Sequence, residues 1–299
     1  MNMITPDQSK AEMDISPTAG ASGHPILISA AHRWRDRAGL VSADLRETIH
    51  LLPLVWALSL LDIRLRYRGS LLGPFWLTLS TAVMVGSIGF LYAHLFHSNV
   101  AAYLPFLSIS LVLWSFISTI TSEGCVCFTQ SESMIRAMRT PLSLHAARVV
   151  FRNFLVLAHN IVVIAVVFLI FRTVPSLAAI SVLPAAILWA VDAMAVSLLL
   201  GVFGARFRDI PPIVGSIVQI AFYLTPVMWN PSMLMHRGFK SLLVEWNPFF
   251  ALLEIVRGPL LGQHFEPETW CVALGYSAFL LLVAGFVFVR ARPRIAYWV

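Results

Sequence analysis

The feature that most limits this chain is a succession of apolar segments, each close to 20 residues long and nearly free of charge. They lie at about 74–96, 103–122, 149–171, 177–201, 211–229 and 269–289. At about 1.5 Å of rise per residue, a helix of this length crosses a hydrocarbon layer of roughly 30 Å. Composition agrees: 58% of the 299 residues are hydrophobic and 12% are charged, whereas soluble domains carry about 25% charged residues. So much apolar surface must face lipid as well as protein. The expected fold is an all-α polytopic membrane protein with six transmembrane helices, which excludes an ordinary soluble enzyme.

The charges orient the bundle. With the N-terminal tail inside, Lys10, the arginines at 33, 35, 37, 46, 64, 66 and 68, and those at 136, 139, 148, 152, 206, 208, 290, 292 and 294 share one side. Only Arg172, Arg237, Lys240 and Arg257 fall on the other. The positive-inside rule then puts both termini in the cytoplasm, and it explains the net charge of +6 without nucleic acid. Residues 1–47, polar and broken by Pro6, Pro17 and Pro25, read as a disordered cytoplasmic tail, ahead of a transmembrane unit over 48–299. The apolar stretch 51–61 is too short to span and runs straight into Arg64, Arg66 and Arg68, as expected of an amphipathic helix lying in the interface. Between spans five and six, Pro248, Glu254, Arg257 and Pro259 interrupt an apolar segment, as in short re-entrant helices.

Catalytic signatures are missing. No zinc-protease, nucleophile-elbow or Walker motif occurs, so no catalytic residue, metal site or bound cofactor is expected in this chain. Cys125, Cys127 and Cys271 are badly spaced for a zinc site and read as free thiols. His94 and His97, at the outer end of span one, lack a third ligand nearby.

Helical spacing says more. Ser216, Gln219, Tyr223, Pro226 and Asn230 stack on one face of span five, and Ser108, Ser115, Ser118, Thr119 and Ser122 form a similar stripe in span two. Such faces point at other helices or at a pathway, because lipid offers polar groups no partner. Span one carries a small-residue face, Ala82, Gly86, Gly89 and Ala93, suited to close packing, and aromatic residues including Trp76 and Tyr92 near its ends. Those rings are belt residues with a second possible use as stacking platforms for sugar. Asp192 is the one acid well inside a span, and His159 lies at matched depth in span three, which suggests a hydrogen-bonded pair. Between spans two and three, Met134, Ile135 and Met138 share a helical face, with Arg136 and Arg139 off it and Glu132 placed to pair with Arg136.

The runs YRGSLLGPFW at 67–76, MIRAMRTPLSL at 134–144, RFRDI at 206–210, LTPVMWNP at 224–231, WNPFFALLEIVRGPLLG at 246–262 and RPRIAYWV at 292–299 together give residues 45–299 a recognisable pattern. It resembles the membrane subunit of ABC-2-type polysaccharide exporters, which carry O-antigen, capsule or teichoic-acid chains. The resemblance implies a homodimeric permease in the cytoplasmic membrane, paired with a separate ATP-binding subunit that holds the ATP and Mg. It implies that Glu132, Met134, Ile135, Arg136, Met138 and Arg139 belong to a coupling helix seated on that ATPase. It also implies a pathway for a lipid-linked glycan along spans one and five, past Trp76, Tyr92, Ser216, Gln219 and Tyr223. Arg64, Arg66 and Arg68 would meet the lipid head group. The alternatives are an ion-coupled carrier built on Asp192 and His159, or an ABC-2 exporter of a small lipophilic substrate. A membrane-embedded transferase would need clustered acids or histidines, which the chain lacks.

Overall fold

The computed structural model describes residues 34–73, 75–95, 99–231, 244, 246–263 and 267–299. The expected tail up to residue 33, His97, Arg237 and Lys240 lie outside the described residues. Among the described residues ten α-helices follow in order: α1 Trp34–His50, α2 Leu52–Arg66, α3 Phe75–Leu95, α4 Val100–Cys125, α5 Glu132–Ala137, α6 Leu142–Phe171, α7 Val182–Arg206, α8 Ile210–Leu224, α9 Pro248–Leu260 and α10 Pro267–Trp298. No strand occurs among the described residues.

Helices α3, α4, α6, α7 (with the 3-10 turn Leu177–Ser181 before it) and α10 are each long and apolar enough to cross a membrane. The protein is therefore multi-pass. α4 is the core element: 72% of its most apolar window is buried, against 17% for α3. Around it pack α3, α6, α7, α8 and α9, while α10 packs on α7, α9 and α1. Phe116, stacked on Trp189 at 5.4 Å and beside Phe154 at 4.8 Å, joins α4 to α7 and α6.

Several boundaries move from their expected positions for identifiable reasons. α1 is helical from Trp34, where a tail up to 47 was expected. Its Asp44, 2% exposed, accepts hydrogen bonds from the backbone N–H of Leu142 (3.3 Å) and Ser143 (2.9 Å). Two otherwise orphaned donors at the start of α6 are thus satisfied by a side chain almost 100 residues away, and α6 begins well before the apolar run does. α8 stops at Leu224 because Thr225 precedes Pro226, which disfavours helical backbone at the residue before it; Thr225 is extended, at φ −84° and ψ 139°. With 15 residues, α8 is about 22 Å long and falls short of a full crossing.

The number of passes follows from contacts. Arg292 near the end of α10 pairs with Asp44 of α1 at 2.8 Å, and Arg206 at the end of α7 lies over the Trp298 ring at 5.7 Å. The ends of α7 and α10 therefore share one end of the bundle, here called the basic end, with the start of α8. Chain between α8 and α10 must reach the opposite end, so α8 and the segment after it make the remaining passage.

The small-residue face of α3 is corrected in part. Gly89 and Ala93 are buried, and a Cβ on Gly89 would stand 3.0 Å from Leu104 Cγ. Ala82 and Gly86 are exposed, with nothing within 4 Å of a Cβ at Gly86. Thr78 and Val85 complete the packed face instead.

Candidate functional site

Three groups of residues hold the polar chemistry of the described bundle. The first is an ion cluster at the basic end joining α2, α4 and α6. Arg148 donates from Nε to Asp62 Oδ2 at 2.8 Å and from Nη2 to Oδ1. Arg152, 8% exposed at its side chain, bridges Asp62 at 2.7 Å and Glu123 at 2.8 Å. Glu123 also accepts from Asn153 Nδ2 and from Arg66 Nη2, both at 2.8 Å. Burial alone would push the Asp62 carboxyl up, but the hydrogen bonds and positive charge of Arg148 and Arg152 outweigh it and hold the group below the usual carboxylate range. Arg66 is thus committed to an ion pair, while Arg64 and Arg68 stay exposed. Partners 29 to 90 residues apart leave no local signal, so neither helical spacing nor charge counting could have assembled this cluster.

Next to it stands the connector between α4 and α6. Glu132 and Arg136 form the expected i, i+4 pair at 3.0 Å. Met134 and Ile135 are half-buried, and Ile135 packs on the core. Met138 departs from expectation: α5 ends at Ala137, and Met138, at φ −134° and ψ 143°, is extended and 51% exposed. It leaves the Met134/Ile135 face because the chain is straightening toward Pro141, three residues on. Arg136 also donates to the main-chain oxygen of Val299, so the end of α10 lies beside this connector. Glu132, Arg136, Met138 and Arg139 are exposed on this connector, while Met134 and Ile135 are half-buried beneath them.

The second group lies on α8. Ser216, Gln219 and Tyr223 are exposed, with Tyr223 at 62%, and Ile213, Ile217 and Ile220 are exposed beside them. Val218 on the far side is buried against the bundle. At 100° per residue the exposed half of α8 divides into a polar stripe and an adjoining isoleucine stripe. Asn230 is exposed like the stripe, whereas Pro226 is buried. On α3, Trp76 is 53% exposed and Tyr92 is half-buried, and their spacing of 16 residues puts them on nearly opposite faces. α3 and α8 each pack on α4, but Trp76 and Tyr92 do not form one platform. In the span-two stripe, Ser115 and Thr119 line a small cavity with Asn153 and Asn160, and Ser108 donates to the Pro105 carbonyl within its own helix. That is packing between helices.

The third group is buried between α4, α8 and α9. Arg257, counted by charge among the outward-facing cations, is 1% exposed. It pairs with Glu254 through Nε at 2.9 Å and also through Nη2, donates to Ser110 Oγ at 2.9 Å and to the Pro226 carbonyl at 2.7 Å, and lies over the Phe106 ring at 4.5 Å. Asn247 caps α9 and reaches Thr225 Oγ1 at 3.0 Å. The chain leaving α8 is therefore tied to the short helix α9, which is the interrupted helix expected between spans five and six.

Asp192 and His159 do not meet. Ser277 Oγ of α10 donates to Asp192 Oδ2 at 2.6 Å, and His159 is exposed, its Nδ1 bonded to the Leu155 carbonyl at 2.8 Å. Equal depth fixes the height of a residue on its helix but not its rotation. Asp192→Asn is expected to retain the contact to Ser277 at a stability loss of about 1 kcal/mol, and His159→Ala to change little. Thermal unfolding in detergent checks both, and a His159→Ala loss as large as that of Asp192→Ala would restore the pair. His94 is bonded through Nδ1 to the Phe90 carbonyl, and the described residues hold no group of three metal-ligating side chains. Cys125 and Cys127 are buried and Cys271 is exposed, all three as free thiols.

A bundle of apolar crossing helices, with an ionic cluster and an exposed connector at its basic end and a short capped helix beside a broken crossing, defines a multi-pass α-helical membrane domain. The model of the ABC-2 type transporter family matches residues 53–261, and the chain belongs to that family. Among its relatives, an O-antigen export system permease protein RfbA of Myxococcus xanthus is 22% identical over 253 residues, 84% of this chain and 97% of the relative. Two proteins of the same name from Klebsiella pneumoniae are 22% and 20% identical over 249 residues, 83% of this chain and 95% of each relative.

Proposed function

We propose that this chain is the permease subunit of an exporter that moves a lipid-linked polysaccharide across the cytoplasmic membrane, with both termini in the cytoplasm. The observation that carries the reading is the match to O-antigen export permeases along nearly their whole length. Energy comes from a separate ATP-binding subunit that holds ATP and Mg, and two copies of the chain assemble around the glycan path.

In this reading the surface of Glu132, Arg136, Met138 and Arg139 seats the ATPase. Closure of the ATPase on ATP pushes the connector, and Met134 and Ile135 pass the displacement into the bundle. Ser216, Gln219 and Tyr223, exposed in one subunit, face the partner copy across a path wide enough for sugar, and Trp76 adds an aromatic surface at its entrance. Arg64 and Arg68 are free to meet a diphosphate head group; Arg66 takes part through its pair with Glu123. The ion-coupled alternative loses its support, since Asp192 and His159 are apart.

The test co-expresses the chain with its ATPase and follows pull-down and surface glycan together. Met138→Asp combined with Arg139→Glu is expected to lower ATPase recovery and leave lipid-linked glycan inside, with the chain still inserted. Normal recovery and normal surface glycan would overturn the assignment.

A further inference from the structure

We propose that the ends of α7 and α10 form a binding site for the phosphate of an anionic membrane lipid. A cavity of about 230 Å³ opens there, lined by Phe203 and Arg206 of α7 and by Phe286, Arg290, Arg294 and Trp298 of α10. All three arginines are exposed, and none has a carboxylate within ion-pair distance among the described residues. Arg292, in the same run, is tied to Asp44, so the unpaired state is particular to the cavity and not to that stretch of α10.

Depth gives the ligand its shape. α7 and α10 both run toward the basic end, so Phe203 lies one turn deeper than Arg206, and Phe286 one turn deeper than Arg290. Phe203 is 37% exposed and Phe286 59%. The cavity therefore offers three guanidinium groups and, about 5 Å deeper, part-exposed aromatic surface, where Phe286 also packs against the Trp34 ring of α1 at 5.2 Å. A phosphodiester head with an acyl chain below it matches both layers, and a guanidinium suits phosphate oxygens by its fork of donors. Arg206 also lies over the Phe207 ring at 5.2 Å and the Trp298 ring at 5.7 Å, both part of the cavity lining. No residue of α3 or α8 lines the cavity, so the site stands apart from the polar stripe and does not depend on the transport reading.

The experiment titrates the full-length chain in detergent with phosphatidylglycerol and counts bound lipids by native mass spectrometry. A cation near an anionic lipid surface contributes about a factor of five in affinity. Arg290→Gln is thus expected to weaken the tightest phosphatidylglycerol about fivefold, and Arg206→Gln/Arg290→Gln/Arg294→Gln roughly a hundredfold. Arg46→Gln, which removes an exposed charge of α1 outside the cavity lining, should leave it unchanged. Equal weakening by that control, or equal retention of phosphatidylcholine, would overturn the site as general basic attraction. Displacement by millimolar inorganic phosphate would overturn the lipid and assign the cavity to free phosphate.

Discussion

Gly204→Ala is expected to destabilise the protein more than any other single added methyl group at the described glycines. A Cβ at this position would stand 1.9 Å from the carbonyl oxygen of Cys125 and 2.9 Å from its carbonyl carbon. Both atoms are backbone, so no side-chain rotation makes room; α7 and the end of α4 must separate. Overpacking of a well-filled core costs about 1–3 kcal/mol, and a contact this short with main chain belongs at or above the top of that range. A Cβ on Gly201, one turn earlier, would stand 2.5 Å from Cys127 Sγ, so the same crossing is tight there too. Gly215→Ala is the control, since nothing lies within 4 Å of its Cβ. Thermal unfolding of the detergent-solubilised chain checks the comparison. Equal midpoints for Gly204→Ala and Gly215→Ala would show that the helices do not cross as closely as described.

The second large effect belongs to the Glu254–Arg257 pair. Glu254→Gln leaves a guanidinium that is 1% exposed without its counter-charge, and breaking a buried pair from one side costs about 3–5 kcal/mol. Replacing both partners, as in Glu254→Gln/Arg257→Met, removes the uncompensated charge and leaves chiefly the Pro226 carbonyl unsatisfied, at about 1–3 kcal/mol. The double variant is therefore expected to be more stable than the single one. Unfolding midpoints in a denaturant series measure the order, and a single variant at least as stable as the double would mean that the pair is solvated.

What could be read in the sequence followed from local pattern. Apolar length located the crossings, and the Glu132–Arg136 pair and the short helix between spans five and six were legible from spacing and from prolines. The stop of α8 was written in Thr225-Pro226, but the apolar run through Met228 masked it. Arg257 was misplaced because counting charge assumes that a cation outside a span faces water; its burial depends on Ser110 and the Pro226 carbonyl, 147 and 31 residues away. Asp44 shows the same limit from the other direction. Nothing in a polar N-terminal stretch announces that one carboxylate will complete the first turn of a helix starting at Leu142. The face of α8 was legible from spacing, whereas the failure of Trp76 and Tyr92 to share a surface follows from rotation about α3.

The ion cluster of Asp62, Glu123, Arg148 and Arg152 also bears on how the molecule can deform. Sliding α2 past α6 would part Asp62 from two guanidinium groups at once and leave charges stranded in a half-buried place. α2, α4 and α6 therefore behave as one stiff block. Slack has to be found where backbone is permissive, and the linker from α2 to α3 provides it: Gly69 and Gly73 sit at φ 84° and 55°, with open space around both. α3, the least buried of the long crossing helices, joins the block through that linker and through one packed face on α4 and α6.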